Sequence, residues 1–175
     1  MKHQTRVKLV KSGDRLELTR FEKPIEYGGL PQNDGKVRVS KEKTKEEKIR
    51  LRYTSSLRAK KSFERLVYSN VFEWDSVKGK SIKPTLLTLT FKKNVKDIKV
   101  ANKKFTKFVK RLNYAVTSKK ISFLKYIVAI EFQKRGAVHY HVLFFNYSYI
   151  PKKELTELWR EGFVHVKRTK GRDTK

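Results

Sequence analysis

The stretch LKYIVAIEFQKRGAVHYHVLFF, residues 124–145, decides how this chain folds. Its first part, LKYIVAIEF, is mostly β-branched and apolar, too short and too β-rich for a helix, and predicts a strand. Its last part, VHYHVLFF, predicts a second strand, with Lys134-Arg135-Gly136-Ala137 as the turn between them. The pair is expected as a hairpin at the middle of a sheet. Side chains two apart in a strand point to the same face, so His139 and His141 point the same way and can share one metal ion. A His-x-His in a strand also occurs without a metal, so its surroundings decide. The chain has four histidines, and two of them are here. The run Val142-Leu143-Phe144-Phe145 predicts a central, buried strand, where an unligated imidazole pair would be costly. The partner strand offers Glu131 and Gln133, two oxygen donors spaced two apart; an unpaired carboxylate buried there would be expensive.

Parity tests whether those donors reach the histidines. If Lys134 pairs with Val138 across a three-residue loop, Gln133 faces His139 and Glu131 faces His141 on one surface. A two-residue turn at Arg135-Gly136 would send Glu131 to the opposite face. A four-residue site therefore requires an odd loop, and Gly136 permits the backbone angles such a loop needs. Two histidines and a carboxylate suit Mn²⁺, Mg²⁺ or Zn²⁺ on ligand type. They leave coordination positions open, from which an ion can polarise a substrate oxygen. The imidazoles must be neutral to coordinate, so affinity is expected to fall in mild acid.

Working outward, PTLLTLTF alternates, with Leu87, Leu89 and Phe91 on one face and Thr88 and Thr90 on the other, which predicts a half-buried strand. Those threonines suit a strand in any case, and could also touch DNA or the surroundings of a metal. Residues 97–116 carry Ile98, Ala101, Phe105, Phe108, Val109, Leu112 and Val116 at spacings of three and four, which predicts a helix with one apolar face and a basic remainder. Pro151 is expected to start a further helix and Gly162 to end it, with Leu155, Leu158 and Trp159 as its apolar stripe. FVHV then predicts a last strand with His165 on its outer face. Towards the N-terminus, RVKLV and RLELTRF are expected to pair as a hairpin across Ser12-Gly13-Asp14. Prolines and glycines from Pro24 to Gly35 break regular structure after it. Ser55 or Ser56 is expected to cap a helix running to about Ser69, with Leu57, Phe63, Leu66 and Val67 on one side and Arg58, Lys60, Lys61 and Arg65 on the other.

The fold class expected is α+β, a central antiparallel sheet flanked by helices with a basic N-terminal extension. The expected organisation is an extension over 1–54, a basic helix and connector over 55–81, and a nuclease-like core over 82–175. Lys and Arg number 44 against 17 Asp and Glu, a formal net charge of +27, which points to nucleic acid as the partner. The absence of cysteine excludes disulfides, thiolate zinc sites and cysteine nucleophiles. No window approaches the roughly 18 apolar residues of a membrane span, and Met1 to Val10 has no signal-peptide character. No membrane association is expected, and the expected location is the cytoplasm of a bacterial host cell.

With AVHYHVLFF, LLTLTF at residues 86–91 and IEFQKRGAVHYH in view, the chain resembles the HUH endonucleases, in particular the replication initiators of rolling-circle plasmids and filamentous phages. The resemblance covers about residues 57–168. It implies a divalent metal, Mn²⁺ or Mg²⁺, held by His139 and His141 with Glu131 first and Gln133 second as further ligand. It implies site-specific nicking of single-stranded or hairpin origin DNA through a 5′-phosphotyrosine intermediate that frees a 3′-hydroxyl to prime synthesis. A host helicase and polymerase are the further partners it implies. The family's tyrosine sits on a helix after the strand matched by FVHV. The last tyrosine here is Tyr149, in the wrong place for that role, so the nucleophile is expected beyond this chain and the chain alone is expected not to nick. Arg58, Lys60, Lys61, Arg65, Lys134 and Arg135 are the candidate DNA contacts. The alternatives are a non-enzymatic basic nucleic-acid-binding module with a structural His pair and, from charge alone, an RNA-binding protein.

Overall fold

The computed structural model describes residues 3–28, 42–71, 82–147 and 150–168. Lys36, Trp74, Tyr149 and the polar end at 169–175 lie outside them. The chain divides into two compact units, Met1–Ser69 and Asn70–Lys175.

In the first unit, β1 (His3–Ser12) and β2 (Arg15–Tyr27) pair antiparallel, with Ser12 opposite Arg15. Gly13 opens the two-residue turn at φ +62°, where glycine meets no steric cost, and a Cβ there would run into the Tyr68 carbonyl oxygen. The pairing jumps between Thr5 and Val7, and β2 runs past Pro24 to Tyr27 instead of breaking at the proline. The irregularity accommodates a residue that cannot donate to a ladder. Helix α1 (Lys45–Asn70) begins ten residues before the expected start and runs through the boundary expected at residue 54. The reason is a capping box at Thr44. Its hydroxyl accepts from Glu47 N at 3.2 Å, while its own N–H donates to the Glu47 carboxylate at 2.9 Å. Ser55 and Ser56 therefore lie inside the helix. Of the four residues expected on its apolar side, Val67 is buried, while Leu57, Phe63 and Leu66 remain largely exposed.

The second unit holds the informative hairpin. Its strands are β3 (Thr85–Phe91), β4 (Tyr126–Phe132), β5 (Val138–Phe144) and β6 (Gly162–Arg168), and its helices are α2 (Ile98–Thr117) and α3 (Lys152–Trp159). The strands form one antiparallel sheet in the order β4-β5-β3-β6. The fold class is thus α+β, with antiparallel sheets and three helices. The hairpin does not occupy the middle of the sheet as a pair: β5 is central, but β4 is an edge strand and mostly exposed.

One face of the sheet makes the core. Leu87, Leu89 and Phe91 of β3, Val138, Tyr140, Val142 and Phe144 of β5, and Val164 of β6 pack with Ala101, Phe105, Phe108 and Leu112 of α2 and Leu155 and Trp159 of α3. Each large apolar side chain so buried contributes about 1.5–3 kcal/mol. Asp97 caps α2 by accepting from Lys99 N and Val100 N, and Ser118 closes it in the left-handed conformation. Helix α3 ends at Arg160, also left-handed, and not at Gly162. Arg111 of α2 supplies the cap, its guanidinium donating to the Leu158 carbonyl at 2.8 Å and to the Trp159 carbonyl at 3.3 Å. Trp159 Nε1 donates to the Thr90 carbonyl at 3.2 Å, so α3 is tied to β3 as well as packed on it. Asn113 and Asn146 are buried and serve the α2–β4 connection. Asn113 Oδ1 accepts from Phe123 N and Leu124 N, and Asn146 Oδ1 from Lys125 N.

Both helices lie on this face. The other face carries Glu131, Ala129, His139, His141, Thr88, Thr90, Phe163 and His165, none of them buried. No described element of the unit covers it.

Gly162 is a glycine because β6 starts against the end of β3: a Cβ there would strike the Thr90 carbonyl and the Lys92 amide. Gly162→Ala is expected to destabilise the unit by about 2 kcal/mol or more, the cost of a clash against backbone. A thermal melt showing no loss relative to wild type would contradict this placement of β6.

Candidate metal centre

The site is built by cross-strand registration. His139 stands opposite Glu131 of β4 on one side and Thr90 of β3 on the other. His141 stands opposite Ala129 and Thr88. The loop is odd, as a site on one face requires, but its register differs from the expected one by one residue on each strand. Phe132 pairs with Val138, and Gln133 N donates to the Ala137 carbonyl at 2.9 Å. Gly136, at φ +80°, donates its N–H to the Gln133 carbonyl at 2.6 Å and closes the turn. Glu131 thus faces His139 and not His141. The parity survives because both strands shift together.

From that position Glu131 reaches diagonally. Its Oε2 lies 2.9 Å from His141 Nε2, and the two imidazole rings are 4.8 Å apart between centroids. Ligand atoms of Glu131, His139 and His141 all lie within 4.8 Å of one another. Each imidazole has a second partner behind it. Thr90 Oγ1 lies 3.0 Å from His139 Nε2, and Thr88 Oγ1 lies 3.3 Å from His141 Nδ1. The threonines, equally at home as plain strand residues, hold the orientation of both rings, and each leaves one ring nitrogen for a ligand. The signal was present in the sequence as the shared parity of LTLTF and HYH. Gln133 is placed elsewhere: it lies past the end of β4, and its Oε1 accepts from Arg135 Nε at 3.1 Å. Glu131 is exposed on an edge strand, so its place in the group rests on register and not on the cost of burial. The imidazoles are half-buried on the open face, so the same holds for them.

Two imidazole nitrogens and a carboxylate oxygen, converging on a face open to solvent, fit a divalent cation. The electrostatics favour ligation. His139 is held below the usual histidine value, first by burial and then by the neighbouring His141, with Glu131 opposing. It is therefore neutral at pH 7, as a metal ligand must be. Tyr140, between the two histidines, points the other way. It donates to Asn102 Oδ1 of α2 at 2.7 Å and stacks on Phe105 at 4.8 Å, and burial raises its phenol to about 12.

The candidate DNA contacts divide. Lys61 and Arg65 both pair with Glu17 at 3.1 Å, and Arg65 first, then Lys61, hold that carboxylate down to about 2. Arg135 donates to the Phe91 carbonyl at 2.7 Å and pins the hairpin turn to the end of β3. Arg58, Lys60 and Lys134 are exposed. His165 is exposed on the outer face of β6, as its alternation with Val164 and Val166 predicts.

Comparison with known families adds one finding. Residues 84–174, just over half of the chain and all within the second unit, match the family of the replication-associated protein ORF2. The chain belongs to this family, which agrees with its resemblance to rolling-circle replication initiators. No curated protein and no solved structure matches it. Among the described residues, no helix is long and apolar enough to cross a membrane.

The shift of His139 has a sign that can be measured. A histidine depressed in the fold is protonated first in the unfolded chain, so its contribution to stability is present above about pH 6.5 and lost as pH falls from there through the folded value. In the metal-free protein its NMR titration midpoint is expected below 6.5, moving up in His141→Ala and further down in Glu131→Gln. A midpoint at or above 6.5 in the wild type, or the two variants moving it in the same direction, would contradict the arrangement of charges.

Proposed function

We propose that the second unit is a metal-dependent nuclease domain that nicks single-stranded or hairpin origin DNA to initiate rolling-circle replication. The observation that carries this is the convergence of Glu131, His139 and His141 on the uncovered face of the sheet, in a chain of net charge +27 that belongs to a replication-associated family. His139, His141 and Glu131 would hold the ion, Mn²⁺ or Mg²⁺. Bound there, it would supply a positive charge that polarises the scissile phosphate. Thr88 and Thr90 keep the imidazoles turned to the open side. Arg58, Lys60 and Lys134 contribute phosphate contacts without sequence preference.

The attacking group in this proposal is a tyrosine hydroxyl whose oxygen takes the phosphate and releases the 3′-oxygen. Tyr126 and Tyr140 lie on the core side of the sheet and Tyr147 is buried, so none of these three is that group. The proposal takes the nucleophile from outside the described residues.

One observation favours a second reading. Glu131 and His141 satisfy each other without an ion, which is what a structural His pair in a non-enzymatic DNA-binding module would do. Calorimetric titration of Mn²⁺ into the chain separates the two. Saturable one-to-one binding is expected, abolished in His141→Ala and weakened about 10-fold or more in Glu131→Ala. Absence of binding to the wild-type chain would leave the binding module.

A further inference from the structure

Strand β6 carries a residue that neither the core nor the metal group uses. Val164 and Val166 face the helices, while Phe163 and His165 face the open side. Outward positions of a sheet covered on one face are usually polar. Phe163 is nevertheless 68% exposed. A single exposed apolar residue is ordinary. What distinguishes Phe163 is its row. Glu131 stands opposite His139, His139 opposite Thr90, and Thr90 opposite Phe163, so all four lie side by side on one face. Two strand spacings, about 10 Å, separate the backbone of Phe163 from that of His139. Only Thr90 stands between them, and its hydroxyl is engaged with His139.

The occupant of this face must suit both ends of the row and the charge of the chain. At one end a cation site calls for an oxyanion. At the other a bare aromatic ring calls for a flat apolar partner. The net charge of +27 calls for a polyanion. A single DNA strand meets all three demands, since it carries a phosphate beside an unpaired base with an open π-face. A duplex does not, because its bases are already stacked on one another.

We propose that Phe163 is a stacking platform for an unpaired base next to the phosphate received by Glu131, His139 and His141. The bound strand then crosses the sheet from β5 over β3 to β6. This inference rests on the function proposed above, but its test can fail separately. The probe is a fluorescein-labelled single strand of mixed sequence, about 12 nucleotides long. Its binding is followed by anisotropy in EDTA, so that no metal contributes. Phe163→Ala is expected to weaken binding roughly 5- to 150-fold, the range for losing one base–aromatic stack. Phe163→Tyr is expected to bind like the wild type. Phe163→Leu keeps an apolar side chain without a π-face, and is expected to weaken binding like the alanine variant even if the latter is less stable. On an abasic strand of equal length, wild type and Phe163→Ala are expected to bind alike. Mn²⁺ affinity is expected to be unchanged in all three variants. Equal binding of the base-bearing strand by wild type and Phe163→Ala would overturn the proposal, as would a variant that alters only self-association in sedimentation, which would make the face a contact between copies. Loss of Mn²⁺ binding in the wild type would instead overturn the nuclease reading and leave the anisotropy result standing.

Discussion

Everything in the second unit depends on the pairing of β3 with β5. Leu89 lies opposite Tyr140, flanked by Thr88 opposite His141 and Thr90 opposite His139. The pairing alternates between two tasks. The Leu89–Tyr140 row faces α2 and α3 and is almost fully buried, while the two threonine–histidine rows face the open side. A slip of one residue in either strand would put imidazoles into the core and a leucine or tyrosine into the site. Core packing and site geometry are therefore fixed by the same ladder, and neither can be altered alone. Tyr140 makes the coupling tight. Its hydroxyl and ring are both held by α2, through Asn102 and Phe105, so the residue between the ligands is among the most constrained in the fold.

That dependence explains which parts were legible in the sequence. Alternation in LLTLTF and VHYHVLFF, and the three-and-four spacing from Ile98 to Val116, report which face is buried, and burial sets the structure directly. The oddness of the hairpin loop followed from the same parity. The one-residue shift did not, because both registers keep Glu131 on the histidine face, and the choice between them is made by hydrogen bonds at Gln133, Gly136 and Ala137. Strand order was likewise hidden. The β4 sequence YIVAIEF is apolar enough for a central strand, yet Ile130 and Phe132 are largely exposed at the edge. In the first unit the helix start was marked by the Thr44–Glu47 box, a local signal that outweighed the apolar pattern beginning near Leu57.

Charge was the least transferable of the sequence signals. A total of +27 fixes the class of partner, but it does not say which cations meet that partner. Several work inside the fold. Arg111 caps α3, Arg135 ties a turn to β3, Lys104 pairs with Glu161, and Lys61 with Arg65 holds Glu17. Geometry separates these from candidates such as Lys134, since a guanidinium engaged with a carbonyl or carboxylate must give up that bond to take a phosphate. Sequence counts only the sum.

The edge position of β4 gives the site its chemical character. Had the hairpin lain in the middle of the sheet, Glu131 would have a neighbour on both sides and would be enclosed with the histidines. Such a carboxylate would resist ionisation and leave little room for substrate. At the edge it stays exposed and ionised, free to pair with His141 or to turn to an ion. The histidines are the opposite: on a central strand, each backed by a threonine hydroxyl, they are held in place before anything binds. A fixed pair of neutral nitrogens with one adaptable oxygen keeps room on the solvent side for a substrate oxygen, which a closed structural site would not. The open face is therefore an arrangement suited to catalysis, and the arrangement follows from strand order.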